Sequence, residues 1–333
     1  MNLEDLERFR DADGFIDFDR IAKEEGMEQF SPRREVRGTE SREKIWLHLG
    51  DSTVLLKTVE ENTNLVGTCY AEMITSELAK QAGFEVAKVD LIKYKGFCGV
   101  ISEKVNREGE QLHSLREYIG DEEIENDSAP EITGLDFVFE NLADYLRNHT
   151  DMSKADKYVL LRSVMKLMVF DVITIGTDRH TENISFIERM KDGKKEIVLA
   201  PLYDNEFSLM LETREADLRE YLQDSRLFYG FVDAQAPKIA PKYEGMEKVP
   251  CHYQNLFEEV IGMDEDVEEY AIQLTKKLDV VQAIKNVEEH IGASIPSVFR
   301  DTAVYAFERR KKEIEQCLGL DLYMPGDGEE MDF

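Results

Sequence analysis

The sequence predicts an α+β protein with two lobes, a small β-rich N-lobe and a larger, mostly helical C-lobe. β-rich runs joined by turn residues dominate the first part of the chain, and amphipathic helical patterns dominate from Leu112 onward. A polar loop over residues 176–183, between an apolar helix and a strand, is a third observation. We place the N-lobe at residues 1–105, the C-lobe at 106–325 and a tail, expected to be disordered, at 326–333.

The N-lobe is predicted to contain a hairpin, a helix and two further strands. A Gly-Asp pair separates the alternating runs 45–49 and 53–57, which predicts the hairpin. An amphipathic helix follows and ends at Gly83, a residue that favours the backbone conformation of a helix stop. The runs 86–92 and 98–102 predict the other two strands. The charged segment that precedes the hairpin is expected to lie against this lobe.

The C-lobe is predicted to begin with two long helices. The first covers residues 135–149, and the second begins at Ser153, whose spacing to Asp156 is typical of a capping box. The second helix includes the apolar run 164–175 and leads into the polar loop. Asp192-Gly193 predicts a hairpin turn, and amphipathic helices are predicted over residues 214–223, 252–262, 265–292 and 295–317.

The polar loop has the spacing of a phosphotransfer site. Asp178 and Asn183 form a D-x-x-x-x-N motif, and Asp204 follows the next strand-like segment. Phosphoryl transfer requires oxygen ligands for Mg²⁺ and one carboxylate beside the attacking hydroxyl, which these residue types provide. The same types are also common turn formers and helix caps, and the spacing arises by chance. The motif therefore acquires weight only from the pattern around it.

The N-lobe offers a matching pair of charges. Lys57 ends an apolar strand, where an ammonium is partly desolvated and requires a counter-charge. Glu72 borders the apolar stripe of the next helix and is within reach of it, although an exposed, weak ion pair is the simpler alternative. The loop that starts at Gly38 has a single glycine and matches neither of the common phosphate-binding patterns.

Together these features resemble the HipA-like serine/threonine kinases, including short members without the N-terminal subdomain. The resemblance covers about residues 36–316. It is carried by four motifs: Gly38 through Lys44 before a Trp-containing strand, Tyr70-Ala71-Glu72, Asp178-Arg179-His180-x-x-Asn183, and Pro201-Leu202-Tyr203-Asp204-Asn205. It implies a bilobal protein-kinase-like fold with ATP and Mg²⁺ as cofactors.

The resemblance also implies roles for the motif residues. Asp178 is the base or the carboxylate that orients the substrate, while Asn183 and Asp204 hold Mg²⁺. Lys57 pairs with the α- and β-phosphates and with Glu72.

Other residues are implied to contact the nucleotide. The loop with Gly38, Thr39, Ser41 and Lys44 covers the phosphates, and the backbone near Glu103 and Val105 meets the adenine. His180 lies beside this site and is expected to bond the backbone of the loop that contains Asp178. In the family a serine of the phosphate loop can itself be phosphorylated, so Ser41, or failing it Thr39, is a candidate autophosphorylation site. The alternative is that these hydroxyls only cap turns in the loop. A metal hydrolase using His180 is disfavoured because no paired-histidine spacing accompanies it.

Composition restricts location and partners. The chain has 333 residues and a formal net charge of −29, with 70 acidic and 41 basic residues, which argues against direct binding to nucleic acid or anionic membranes. It fits a partner or substrate with basic residues, and also a simple demand for solubility. The four cysteines form no C-x-x-C pair, the N-terminus lacks a signal-peptide pattern, and Lys166 and Asp171 interrupt the longest apolar run. We expect a cytoplasmic protein.

The leading hypothesis is an ATP- and Mg²⁺-dependent kinase that transfers the γ-phosphate to Ser/Thr hydroxyls of a protein, with autophosphorylation left open. Two alternatives stay open: a kinase of small molecules or lipid head groups on the same fold, and a non-catalytic nucleotide-binding regulatory module. The family's toxin members work beside a DNA-binding antitoxin, which leaves an antitoxin partner open here.

Overall fold

The structure is a computed structural model that describes residues 3–24, 44–49, 52–59, 65–122, 132–191, 193–242 and 251–320. It has a small sheet region and a larger, helix-rich part, so the predicted α+β architecture is confirmed. The division of the lobes at residue 105 stays a prediction. Among the described residues, no helix combines the length and apolar character needed to cross a bilayer.

The N-lobe is built on a five-stranded sheet. A 3₁₀ helix (Leu3–Phe9) precedes β1 (Ile16–Asp17), α1 (Phe18–Glu24), β2 (Lys44–Leu49), β3 (Ser52–Thr58), α2 (Gly67–Ala82), β4 (Val89–Tyr94) and β5 (Phe97–Glu103). The strand order is β1-β4-β5-β3-β2, with β1 parallel to β4 and the other neighbours antiparallel. The predicted hairpin and helix are confirmed, and Gly83 ends α2 in the left-handed region with φ of 93°.

The segment before the hairpin forms a core of its own against the sheet. Leu6, Phe9 and Ile21 are fully or almost fully buried, and they pack with Leu56 and Ile101 on β3 and β5. Each large side chain that is removed from water in this way contributes roughly 1.5–3 kcal/mol before the entropy cost of ordering. The segment is thus an integral layer of the lobe.

The C-lobe contains the remaining elements. They are β6 (Gln111–Ser114), α3 (Leu115–Ile119), β7 (Thr133–Gly134), α4 (Leu135–His149), α5 (Lys154–Thr174), β8 (Ser185–Lys191), β9 (Lys194–Leu199), α6 (Glu215–Tyr221), α7 (Ser225–Asp233), β10 (Ile239–Ala240), α8 (Tyr253–Met263), α9 (Glu265–Lys277), α10 (Val280–Ile291) and α11 (Ser297–Cys317). Strands β6, β8 and β9 form one sheet, and β7 pairs with β10. Helix α5 is buried from Val164 onward and packs against α8, α9 and α11.

The C-lobe differs from the prediction in three places. The chain from Leu112 onward is predicted to be chiefly helical, but β6 is a strand that pairs with β8, with Leu112 opposite Ile187. Helix α7 was not predicted. The single helix expected over residues 265–292 is broken between α9 and α10. Asp279 caps α10 by accepting the Gln282 N–H at 2.8 Å, and the Gln81 side chain of α2 bonds both backbone groups of Asp279, accepting from its N–H at 2.7 Å and donating to its carbonyl at 3.0 Å.

Asp90 connects three parts of the chain. This buried β4 carboxylate accepts hydrogen bonds from the guanidinium of Arg10 at 2.9 and 2.8 Å and contacts His290 Nε2 of α10 at 3.1 Å. Glu7 contacts the same guanidinium. Asp90, Glu7 and His290 lie close enough together to resemble a metal cluster, but the guanidinium of Arg10 already forms ion pairs with both carboxylates. The group therefore ties the N-terminal segment and α10 to the sheet.

Candidate active site

The polar loop begins where α5 ends in an unusual backbone conformation. Ile175 is fully buried and has φ of 55°, which a β-branched residue rarely adopts. The next residue, Gly176, donates its N–H to the Asp171 carbonyl at 2.8 Å, and a Cβ added to it would lie 3.0 Å from Asp171 Oδ1. A side chain here would push against Asp171, so glycine allows the loop to pack closely on the helix. Such strain persists only where the surroundings hold it in place, and it is common at functional sites.

Asp178 and Asn183 are brought together by this loop. Asn183 Nδ2 donates to the Asp178 carbonyl at 2.8 Å and to Asp178 Oδ2 at 3.3 Å. With the amide nitrogen directed at Asp178, the amide oxygen of Asn183 is the atom that can ligate a cation. The D-x-x-x-x-N motif thus forms one compact unit, as its spacing predicts.

The loop with Asp204 lies next to the N-lobe. Leu202 exchanges backbone hydrogen bonds with Glu85 and Ala87 just before β4, at 2.8 and 2.9 Å. Asp204 follows with φ of 60°, a left-handed conformation uncommon for a residue other than glycine. Its carboxylate forms an ion pair with the ammonium of Lys57 on β3, and the lysine is buried. This ion pair connects β3 of the N-lobe to the Asp204 loop.

Arg179 connects the two loops. Its Nε and Nη2 donate to the carboxylate of Asp171 at 2.9 and 3.2 Å, and Nη2 also donates to Asn205 Oδ1 at 2.7 Å. Its Nη1 reaches the carbonyls of Asn183 at 3.1 Å and Tyr203 at 3.4 Å. Because Arg179 Nη1 contacts the backbone of both loops, it holds the polar loop (residues 176–183) next to the loop with Asp204. A planar guanidinium is suited to several directed bonds of this kind, whereas an ammonium is not.

Glu72 of α2 is joined to the same network through Asn205. The Asn205 N–H donates to Glu72 Oε2 at 2.5 Å, and its side-chain nitrogen lies 3.4 Å from Glu72 Oε1. Burial raises the pKa of the Glu72 carboxyl to about 7, while the nearby charge of Lys57 acts in the opposite direction. Lys57 is therefore close enough to influence Glu72 electrostatically. Its ion pair, however, is with Asp204, and a direct Lys57–Glu72 pair stays a prediction.

The backbone at Lys57 is held by close packing of two strands. A Cβ added to Gly99 on β5 would lie 2.1 Å from the Lys57 carbonyl oxygen and 2.9 Å from the Cα of Thr58. Only glycine lets β5 approach β3 so closely at this point. The position of the lysine therefore depends on its neighbour in the sheet as well as on its own strand.

The other site residues are placed as follows. Glu103 ends β5 and bonds the Lys88 carbonyl through its N–H at 2.9 Å, with Val105 two residues further on. His180 Nδ1 accepts from the N–H of Glu182 at 3.2 Å, which agrees with the expected bond to the loop backbone. Gly38, Thr39 and Ser41 lie outside the described residues. Lys44 is described only as the backbone partner of Lys57 in β2, and its side chain is not part of the description.

Three residues take part in the site without having a predicted role: Asp171, Arg179 and Asn205. Asp171 is buried among the apolar residues of the C-terminal part of α5, and burial raises the pKa of its carboxyl while the charge of Arg179 opposes that shift. A single acidic residue inside an apolar helical run requires a buried partner. That signal was present in the sequence, but nothing in it indicated which arginine supplies the charge.

Glu212 is a further buried carboxyl beside the catalytic loop. It accepts a hydrogen bond from Thr177 Oγ1 at 3.1 Å, and burial raises its pKa to about 7, with the charge of Asp178 adding to the shift. The folded state therefore keeps a proton that the unfolded chain has lost between pH 4.5 and 7. The contribution of Glu212 to stability is greatest at low pH and declines as the pH rises through this window.

Glu212→Gln is expected to remove that decline, because glutamine does not ionise. The free energy of unfolding of the variant relative to the parent should increase from pH 5 to pH 8 by on the order of 3 kcal/mol. Urea denaturation at the two pH values measures the difference, with Glu215→Gln on exposed α6 as the matched control. If the Glu212 and Glu215 variants follow the same pH dependence, Glu212 does not hold a proton in the folded protein.

This arrangement defines a protein with a kinase-like fold: a lysine on a strand and a glutamate on the next helix lie beside two polar loops, one with Asp178 and one with Asp204. The chain belongs to the family of HipA-like C-terminal domains, whose model matches residues 37–290, well over half of its length. The resemblance drawn from the sequence motifs is thus confirmed.

Solved structures show the same fold. The proinflammatory kinase CtkA of Helicobacter pylori superposes with a TM-score of 0.63 at 15% identity, over 84% of this chain and 94% of CtkA. HipA of Shewanella oneidensis MR-1, solved with HipB and operator DNA of a toxin–antitoxin system, gives a TM-score of 0.53 at 17% identity, over 91% of this chain and 71% of HipA. At these identities the likeness concerns the fold alone. No curated protein sequence matches the chain.

Proposed function

We propose that this protein is an ATP- and Mg²⁺-dependent kinase that transfers the γ-phosphate to serine or threonine hydroxyls of a protein. The observation that carries the proposal is the set of hydrogen bonds from Arg179, which holds the Asp178–Asn183 unit against the loop with Asp204. A general acid or base, two oxygen ligands and a lysine are thereby held in one place. Membership of the HipA-like family supports a kinase as the class of enzyme.

The donor set fits a magnesium ion. Asn183 offers an amide oxygen and Asp204 a carboxylate, and hard oxygen ligands of these types are the ones that Mg²⁺ prefers beside phosphates. Among the described residues, no cluster of cysteines or histidines adjoins them that would favour a softer metal. When bound, the ion would neutralise charge on the phosphate oxygens.

The chain's own groups have distinct tasks in this proposal. Lys57 places its ammonium beside Asp204, where it can also contact the phosphates of ATP. Asp178 orients the acceptor hydroxyl and takes its proton as the oxygen attacks. The nucleotide base would meet the end of β5 near Glu103 and Val105, and residues 38–44 would cover the phosphates; both assignments come from the family resemblance.

Partners are also part of the proposal. The Shewanella HipA structure contains HipB and operator DNA, and by analogy an antitoxin-like protein is a candidate partner. The net charge of −29 argues that any contact with DNA would be made by such a partner rather than by this chain.

Labelled ATP tests the proposed reaction. The protein is incubated with γ-labelled ATP and Mg²⁺, with or without a chelator, in the presence of candidate protein acceptors. Label on serine or threonine of a protein, lost with the chelator, is the expected result. Label that appears only on small molecules would favour the alternative kinase class, and no transfer to any acceptor would favour a nucleotide-binding module without catalysis.

Asp204→Asn is expected to weaken Mg²⁺-dependent ATP binding by about tenfold or more while the fold survives. The variant keeps the shape of the side chain but removes the charge that holds the cation, and a charge-assisted contact is worth about 1.5–3 kcal/mol. Titration of ATP at several Mg²⁺ concentrations measures the effect, and thermal unfolding checks the fold. Asp144→Asn on exposed α4 is the control. An unchanged Mg²⁺ dependence would remove Asp204 from the metal site.

A further inference from the structure

A cavity of about 410 Å³ opens beside Asp178. The catalytic loop forms one part of its lining through Asp178, His180 and Glu182, and the end of α3 and the β7–β10 pair form the rest. Neither Lys57 nor Asp204 contributes to the lining. Asp178 is thus shared between the group that would hold ATP and a separate space. In a phosphotransfer site the acceptor hydroxyl must lie against this carboxylate, on the side away from the nucleotide.

The charges of the lining are unequal. Four carboxylates contribute to it, from Asp121, Glu122, Asp178 and Glu182, and two cations, from Arg116 and Lys238. The whole chain carries −29 charges, which adds a long-range attraction for cations.

Not all of these carboxylates are available to a ligand. Glu122 is engaged with the structure itself, since it accepts the Gly134 N–H at 2.8 Å and pairs with Lys242 at 2.8 Å. Asp121 and Glu182, in contrast, share the single guanidinium of Arg116, at 2.5 and 2.7 Å. Two carboxylates with one cation between them keep one excess negative charge at the mouth of the cavity.

The ion pairs of Arg116 can be exchanged at little cost. The side chain of Arg116 is 46% exposed, and those of Asp121 and Glu182 are 72% and 56% exposed. Ion pairs in water-exposed positions are weak, because solvent screens them and ordering long side chains opposes them. A second guanidinium or ammonium could therefore join the two carboxylates or take the place of Arg116 without leaving a buried charge uncompensated.

We propose that this cavity is the acceptor subsite and that the Asp121–Glu182 pair binds an arginine or lysine side chain next to the hydroxyl that is phosphorylated. In the absence of an acceptor, Arg116 pairs with these two carboxylates, and the acceptor's cation would replace it there. The inference rests on the proposed function and adds a substrate class to it, namely polypeptide segments with a basic residue beside serine or threonine.

Lys238 supplies the contrasting possibility. Its side chain is half-buried in the lining, and within the described ranges no carboxylate forms an ion pair with it. An acidic acceptor would be attracted to this ammonium but repelled by the carboxylate pair. The excess of carboxylates in the lining favours a basic acceptor. A variant of Lys238 tests the contrasting possibility directly.

The test is a binding measurement that needs no catalysis. Three fluorescent peptides are compared by anisotropy, each with one serine flanked by two arginines, two glutamines or two glutamates. The arginine peptide is expected to bind most tightly. Glu182→Gln and Asp121→Asn should each weaken it by about threefold, the size expected for loss of an exposed ion pair. Arg116→Gln should tighten it by roughly threefold, because only a weak pair has to be displaced.

Glu215→Gln is the matched control, since Glu215 is also an exposed glutamate paired with an arginine but lies on α6, outside the lining. Its binding should equal that of the parent. Equal weakening by the Glu182 and Glu215 variants would show attraction by net charge only and would overturn the subsite. Preferred binding of the glutamate peptide, lost in Lys238→Gln, or no binding of any peptide, would overturn it as well.

The same peptides distinguish failure of the inference from failure of the proposed function. If the arginine peptide binds with the expected variant pattern but receives no phosphate from ATP, the subsite stands and the kinase proposal is wrong. If all three peptides are phosphorylated equally and no variant alters their binding, the kinase proposal stands and the subsite is wrong. Thermal unfolding of each variant shows that the fold is retained.

Discussion

Asp178→Ala is expected to reduce phosphate transfer by about 10³-fold while ATP still binds. A positioned general acid or base typically accounts for 10²–10⁴-fold in rate, and no other carboxylate of the described catalytic loop bonds Asn183 in its place. The measurement is transfer of labelled phosphate to the acceptor, with nucleotide binding followed separately. Loss of transfer together with retained binding would place the effect on the chemical step.

The fold should tolerate this change. The Asp178 side chain is 38% exposed, and Asn183 keeps its 2.8 Å bond to the backbone carbonyl of residue 178. We therefore expect a loss of stability of about 1 kcal/mol or less. Asp178→Asn, which keeps the shape and removes the charge, should behave as the alanine variant does. Transfer at the parental rate in both variants would assign the catalytic role to another residue.

Arg179→Met should destabilise the protein by about 3–5 kcal/mol. The substitution keeps most of the apolar volume but leaves the Asp171 carboxylate buried without its partner, and such an uncompensated charge is costly. Asn205 and the carbonyls of Asn183 and Tyr203 lose their donors at the same time. Urea denaturation measures the change in the free energy of unfolding.

Two further variants separate the causes of that loss. Arg147→Met on α4 removes an exposed arginine, 70% accessible and paired with Asp144, and should change stability by about 0.5 kcal/mol or less. Combining Arg179→Met with Asp171→Asn removes the buried charge and should recover part of the stability, but not phosphate transfer, because the two loops are still not joined. A loss for Arg179→Met no larger than that for Arg147→Met would contradict a buried, stabilising pair.

The parts of the fold that the sequence predicted are those specified by local signals. The capping serine at Ser153 accepts the N–H of Asp156 as its spacing indicated, and α4 spans the predicted residues. Strand β6 depends on a distant partner, β8, so no local pattern could reveal it. The break before α10 has a local signal that the prediction missed, because the Asp279 side chain caps the helix, although the bonds from Gln81 come from elsewhere in the chain.

The candidate site follows the same division. The contact between Asp178 and Asn183 lies within one loop, so the spacing of the motif was enough to predict it. The pairing of Lys57 with Asp204 and the bonds from Asn205 to Glu72 require the N-lobe and C-lobe loops to meet in one particular way. That relation is a property of the assembled fold. The sequence indicated Lys57, Glu72 and Asp204 as site residues, but neither the role of Asn205 nor which of these residues contact each other.

The layer formed by residues 3–24 changes what counts as one folding unit. The family match covers residues 37–290, yet this layer precedes it and α11, whose Ala303, Ala306 and Phe307 are fully buried, follows it. A protein cut at the edges of the match would expose one face of the β-sheet and the groove that α11 fills, two apolar surfaces prone to aggregation. Conversely, in the intact chain the outer face of the sheet is already occupied, so a neighbouring domain that docks on the N-lobe has to use another side.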